Sequence, residues 1–159
     1  MNEQKLISKI EAQKLIAKNQ TALVTGSFDL MHLGHLRFLA KSKELVGKKG
    51  LLIVALLNDR EVKQRKGNDR PIFNENYRLE FLSNIAVIDY VFLWEEPWKN
   101  LRNFVLESQP AFLVAAKGDK GLENKRKTVE KAGGKFVLIP KQGDYSSSSI
   151  IKSIKLSQS

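Results

Sequence analysis

Ala22-Leu23-Val24-Thr25-Gly26-Ser27-Phe28-Asp29-Leu30-Met31-His32-Leu33-Gly34-His35 is the stretch on which the reading of this chain turns. A short apolar run of β type gives way to a glycine turn, then to two histidines separated by Leu-Gly, then to helix-like sequence from Leu36. In that order, strand, turn and helix start set both imidazoles beside the unpaired N–H groups of a helix N-terminus, a ready anion site. Gly26 and Gly34 allow backbone to approach a phosphate closely. His32 and His35 can donate to oxygens on which charge grows during reaction. Thr25 and Ser27 add hydroxyls on the nucleotide side. Asp29 can hold the loop, orient a histidine or face an acceptor phosphate. Phe28 and Leu30 read as core, with Phe28 also lining the nucleotide loop. The chain has only these two histidines and no cysteine, which argues against a structural zinc site and excludes thiolate chemistry. The pattern points to a phosphate-handling enzyme.

Outward from the motif, apolar and polar runs alternate. Leu6, Ile7, Ile10, Leu15 and Ile16 predict an amphipathic helix over 3–18, within an N-terminal segment 1–19. A strand over 22–24 is followed by a helix over 36–46 and a basic turn over 47–50. Residues 51–57 form a continuous apolar run, the kind buried on both faces of a parallel sheet. Residues 58–73, polar and basic, read as a mobile loop. Helices are expected over 76–85, 98–108 and 122–132, the second ended by Pro110 and the third by Gly133-Gly134. Strands are expected over 90–94, 111–115 and 136–139. A terminal helix over 147–156, led in by serines, occupies the segment 145–157.

This alternation predicts an α/β fold, a doubly wound five-stranded parallel sheet with helices on both faces and right-handed crossovers. At 159 residues the chain reads as one domain, 1–159. Ligands bind such sheets beyond the carboxyl ends of the strands, at the switch point. The strand order 3-2-1-4-5 would bring Ala116-Lys117-Gly118-Asp119, after the fourth strand, opposite the histidine motif. Lys117, Gly118 and Asp119 are then candidates for nucleotide contact, Asp119 through ribose or base. Lys66, beside Gly67, is a candidate catalytic contact to triphosphate or acceptor phosphate, and Arg70 a clamp on an anion. Ser146, Ser147 and Ser148 combine hydroxyls with a helix start and suit a nucleotide phosphate.

The formal net charge is +10 and the hydrophobic content 42%. Lysines and arginines are scattered, so a solvated surface is the first explanation and attraction of polyanionic small molecules the second. No compact basic stripe with interleaved aromatics supports nucleic-acid binding. No apolar run approaches the roughly 20 residues of a membrane span, so no membrane insertion is expected. Met1-Asn2-Glu3-Gln4-Lys5 carries no signal-peptide block, and a cytoplasmic protein is expected.

Gly26-Ser27-Phe28-Asp29-Leu30-Met31-His32-Leu33-Gly34-His35 resembles the signature of the cytidylyltransferase-like nucleotidyltransferases. Lys63-Gln64-Arg65-Lys66-Gly67-Asn68-Asp69-Arg70-Pro71-Ile72, Arg78, Ile88-Asp89-Tyr90-Val91 and Ser146-Ser147-Ser148-Ser149-Ile150-Ile151 are similar to the nucleotidyltransferase domains of ADP-heptose synthases, so the likeness spans about residues 3–155. The resemblance implies a Rossmann-like domain that joins a nucleoside triphosphate to a sugar or polyol phosphate and releases pyrophosphate. It implies Mg²⁺ held mainly through the triphosphate, with no direct protein ligand, and no covalent enzyme intermediate. It implies ATP and a heptose 1-phosphate as substrates, an Arg78 that faces the acceptor phosphate, and a possible homodimer.

Three departures bear on the acceptor. Thr25-Gly26-Ser27 stands where heptose enzymes read Asn-Gly-Cys, and Lys117-Gly118-Asp119 lacks their paired glycine. Lys141 stands where the glycerol-phosphate branch has arginine. The alternatives are a CTP-dependent cytidylyltransferase acting on glycerol 3-phosphate or another polyol phosphate, and an adenylyltransferase of the FAD-synthetase type. A nucleotide-binding regulator without turnover is the non-enzymatic alternative, and intact His32 and His35 argue against it.

Overall fold

A computed structural model describes residues 2–140 and 147–156. Five parallel strands, β1 Thr21–Gly26, β2 Leu51–Leu57, β3 Tyr90–Trp94, β4 Phe112–Ala116 and β5 Lys135–Ile139, form one sheet in the order β3-β2-β1-β4-β5. The expected order and the Rossmann-like α/β architecture are therefore both present. β1 sits at the centre, with Val24 against Val54 on one side and Val114 on the other. Its neighbours pair outward with β3 and β5. The order in which strands are added reverses between β1 and β4, and the crevice at that switch point lies beyond Gly26 and Ala116.

Successive residues of a strand point to opposite faces, and here both faces are buried. Leu23, Ile53, Ala55 and Leu113 pack under helices α1 Lys9–Lys18, α5 Leu101–Ser108 and α6 Leu122–Lys131. Ala22, Val24, Leu52, Val54 and Val114 pack under α2 Leu33–Glu44 and α4 Glu75–Ser83. This double coverage explains why β2 reads as an unbroken apolar run instead of an alternating one. A terminal helix, α7, covers Ser147–Leu156.

Helix boundaries differ from the expectations where a capping side chain intervenes. The first helix begins at Lys9, not at residue 3, because Ser8 and Glu11 form a reciprocal capping box; Glu3–Lys5 is a separate 3-10 turn. The helix after β1 starts at Leu33, three residues before the predicted position, capped by His32. The expected loop over 58–73 is corrected: it opens with α3, Asp59–Lys66. Asn58 accepts the Glu61 N–H at 2.8 Å and the first turn carries Asp59 and Glu61, both favourable to the helix dipole. Only the remainder, through Gly67 and Arg70 to the Asn74 cap of α4, is loop.

Candidate active site

The motif leaves β1 at Thr25 and Gly26 and turns sharply. Phe28 adopts a left-handed backbone at φ 43°, costly for a bulky residue and maintained only where its surroundings fix it. Its ring folds back over Gly26 so closely that a Cβ there would stand 2.8 Å from the ring. Gly26 is thus required by the aromatic that packs on it. Phe28 is buried, as expected for a core residue, and its ring centroid lies 5.5 Å from that of His35.

His32 is the N-cap of α2, and its Nδ1 accepts the Gly34 N–H at 3.1 Å. In the neutral ring the proton therefore sits on Nε2. One turn along α2, His35 places its ring centroid 4.0 Å from that of His32. Burial, the neighbouring His32 and Lys66 together push the His35 pKa down to about 4. At neutral pH it is an uncharged imidazole, able to donate through one nitrogen.

Asp29 is buried and fully engaged. It pairs with Arg70 Nε, and it accepts the N–H groups of Ile72 at 2.7 Å and Phe73 at 3.0 Å. It staples residues 70–73 against the motif, with no oxygen turned to an acceptor. Arg70, held by this contact, keeps its Nη2 buried without a partner among the described residues. Thr25 Oγ1 and His35 Nδ1 are likewise buried and unpartnered. Such atoms cost about 1–3 kcal/mol each, and three of them converge on one loop system. The fourth, Trp94 Nε1, lies in the core beneath.

Lys66, at the end of α3, donates to Ser27 Oγ at 2.6 Å. The residue as a whole is exposed, but its ammonium end is drawn against the loop. The resulting desolvation, with Arg70 nearby, holds its pKa below the ordinary lysine value, while Asp29 and Asp119 act the other way. Asp119 thereby shares the electrostatic neighbourhood of Lys66, as the strand order predicts. It caps the turn after β4 through its N–H to Ala116 O, and Gly118 supplies the left-handed φ of 104° there. Lys117 and Gly118 are exposed at this edge. Ser146 lies outside the described residues; Ser147 and Ser148 open α7, and only their backbone is described.

Arg78 departs from its expected role. It is 1% exposed and donates to Phe73 O at 2.9 Å, Ser27 O at 2.6 Å, Leu57 O at 2.8 Å and Asp59 Oδ1 at 2.6 Å. Four of its five N–H donors go to the motif, to the 70–73 segment, to the end of β2 and to α3, so it braces the loops from beneath. Asp59 and Glu61 were missed by the sequence reading. Asp59 receives Arg78 and donates its N–H to Glu75 at 2.7 Å; Glu61, buried, accepts the Trp98 N–H at 3.1 Å. The signal was present in Asn58-Asp59-Arg60-Glu61, a helix-start pattern directly after an apolar strand.

The assembled crevice holds His32, His35, Lys66, Arg70 and a helix N-terminus. Its donor set fits phosphate oxygens. Among the described residues no group of three or more histidines and carboxylates is placed to hold a metal ion. No described helix is long and apolar enough to cross a membrane.

The cytidylyltransferase-like family profile matches residues 23–153. The chain is 35% identical over 158 residues to "Bifunctional protein HldE" of Helicobacter pylori strain P12, covering 96% of this chain and 30% of that protein. It is 34% identical over 138 residues to the protein of the same name from Blochmanniella floridana, covering 86% of this chain and 28% of that one. The chain thus spans about three-tenths of the length of these relatives. Among solved structures, a lipopolysaccharide core biosynthesis protein from Thermoplasma volcanium GSS1 superposes with a TM-score of 0.65 at 30% identity. That match covers 79% of this chain and 99% of the other.

Proposed function

The chain belongs to the cytidylyltransferase-like family and is a nucleotidyltransferase, and on that premise we propose that it transfers the adenylyl group of ATP to a sugar 1-phosphate, a heptose 1-phosphate in particular, releasing pyrophosphate. The observation that carries this reading is the His32–His35 pair, 4.0 Å between centroids, with Lys66 acting on His35 and Arg70, its Nη2 unpartnered, acting in turn on Lys66. An acceptor phosphate oxygen attacks the α-phosphorus and pyrophosphate departs. Phosphate is already a nucleophile, so the protein's work is positioning and stabilisation of charge. His32 donates through Nε2 and His35 through its protonated nitrogen to the α- and β-phosphate oxygens, each such donor contributing about 3–4 kcal/mol in the transition state. Arg70 and Lys66 hold the outer phosphates, Lys66 exchanging Ser27 Oγ for a phosphate oxygen.

Mg²⁺, if bound, would be held mainly through the triphosphate oxygens and would supply neutralisation of phosphate charge, while His32, His35, Lys66 and Arg70 hold the phosphates themselves. Likeness of the Lys63–Ile72 and Ile88–Val91 blocks to the heptose enzymes supports ATP and a heptose 1-phosphate. Ser27 in place of cysteine favours the second reading, CTP with glycerol 3-phosphate. We place the reaction in the cytoplasm, where these triphosphates are made. The exposed apolar side chains of Leu33, Leu36, Tyr77 and Phe81 on α2 and α4 support a homodimer in which two identical patches cover each other.

Purified protein incubated with Mg²⁺, each triphosphate and each phosphorylated acceptor, with pyrophosphate measured, tests the proposal. Turnover with ATP and heptose 1-phosphate alone is expected. Turnover with CTP and glycerol 3-phosphate alone would replace the first reading with the second. Absence of pyrophosphate from every pair, with ATP still raising the melting temperature, would identify a nucleotide-binding regulator.

A further inference from the structure

On the sheet face opposite α2, a cleft of about 560 Å³ opens between α5 and α6. Lys99 and Arg102 stand on one wall and Lys127 and Lys131 on the other, with Lys125 and Trp98 at the inner end. Five cations line it and no carboxylate does. Lys127 meets Glu123 at 3.5 Å on the surface, and Lys125 meets Asp119 at 3.2 Å. Among the described residues Lys99, Arg102 and Lys131 have no ion-pair partner. A merely solvated lysine surface keeps its ammonium groups in water. Here the Lys125 side chain is only 9% exposed, and a buried ammonium needs compensation that one half-exposed carboxylate supplies poorly. Cations facing one another across a gap also repel, so the unliganded cleft is electrostatically incomplete.

We propose that this cleft is an accessory binding site for a small organic anion carrying two phosphate groups, which bridges Lys99 and Arg102 on one wall to Lys127 and Lys131 on the other, with Lys125 between them. The volume lies within the ~300–1,000 Å³ of small-molecule sites. The inner end is joined to the candidate active site. Arg65 lies over the Trp98 ring at 4.3 Å and Lys125 at 5.4 Å, while Glu61 accepts the backbone N–H of Trp98. Arg65 and Glu61 belong to α3, whose last residue is Lys66. A phosphate that draws Lys125 from Asp119 alters the carboxylate whose field reaches Lys66, so occupancy of the cleft is placed to tune the lysine that holds the triphosphate.

The chain has two tryptophans, Trp94 in the core and Trp98 in the cleft, so fluorine NMR of protein labelled with 5-fluorotryptophan reads the site directly. ADP and fructose 1,6-bisphosphate are titrated separately. At least one is expected to shift the Trp98 resonance saturably; the tighter arm tells whether the phosphates come with a nucleoside or a sugar. The double variant Lys127→Glu, Lys131→Glu is expected to weaken that binding at least tenfold, with an unmoved Trp94 resonance as the control for folding. His35→Ala is expected to leave it unchanged. No saturable shift with either compound would overturn the proposal, as would a shift kept in the double variant but lost in His35→Ala. A linear, unsaturable shift abolished by added salt would also overturn it, since that marks diffuse attraction by the basic chain.

Discussion

Two buried arginines, eight positions apart, define two regions with opposite bookkeeping. Around Arg78 four N–H groups end on carbonyls or a carboxylate, so Ser27, Leu57, Phe73 and Asp59 are locked to one guanidinium. Around Arg70 the carboxylate of Asp29 fixes one nitrogen and leaves Nη2 buried and unpartnered, and His35 Nδ1 is in the same condition. The first region is complete in the unliganded protein. The second keeps buried donors free that an anion would engage. A fold carries unsatisfied buried groups at its functional sites and compensates for them elsewhere, and the rigid bracing by Arg78 is what lets the neighbouring crevice remain open.

The largest expected effect comes from breaking the brace. Arg78→Met leaves carbonyls of the motif, β2 and the 70–73 segment without donors, and should cost about 3–5 kcal/mol in thermal or urea unfolding. A variant that unfolds like the parent would erase the distinction between the regions. His35→Ala should act in reverse, lowering kcat for pyrophosphate release about 10²–10³-fold with little change in melting temperature. A full-rate variant would remove His35 from the chemistry.

Asp29→Asn probes the join between the two regions. Losing the charged partner of Arg70 should cost about 1.5–3 kcal/mol, speed amide exchange at Ile72 and Phe73, and raise KM for the triphosphate more than it lowers kcat. Unchanged exchange at those amides would detach Asp29 from the loop. The smallest effect is a pH dependence. Unfolded, a histidine takes up a proton near 6.5; folded, His35 does so only near 4. The unfolded chain therefore binds more protons between those values, and stability should fall as pH drops from 6.5 towards 4 and level off below. That portion of the melting-temperature profile should vanish in His35→Ala; its persistence would assign the loss to other groups.

Periodicity and punctuation made most of the sheet legible. β2 and β3 fall where their apolar runs lie, whereas the strand order, expected from the fold class, is fixed by pairings that no local pattern encodes. The His32–Gly34–His35 spacing carries its own geometry, because a strand-to-helix turn of that composition has few ways to fold. Less legible was everything that depends on a distant partner. No local pattern says that Asp29 will meet Arg70, 41 residues away, nor that Arg78 will be consumed by backbone carbonyls. The loop expected over 58–73 failed for a different reason. Its charge masked a helix whose single apolar anchor, Val62, is fully buried among polar neighbours, and whose start signal at Asn58 was outweighed by composition.

Because the chain contains only two histidines, both in the crevice, nitrogen-15 spectra of its imidazoles report on that crevice alone. Titrating the rings against pH, with and without a non-hydrolysable ATP analogue and with His32→Ala to assign the signals, measures whether the triphosphate lies against them. The account predicts that the bound polyanion raises the His35 pKa well above its unliganded value of about 4 and shifts both Nε2 and Nδ1 resonances. Superimposable titration curves at a nucleotide concentration that saturates the melting-temperature shift would contradict it, since the nucleotide would then be bound somewhere else.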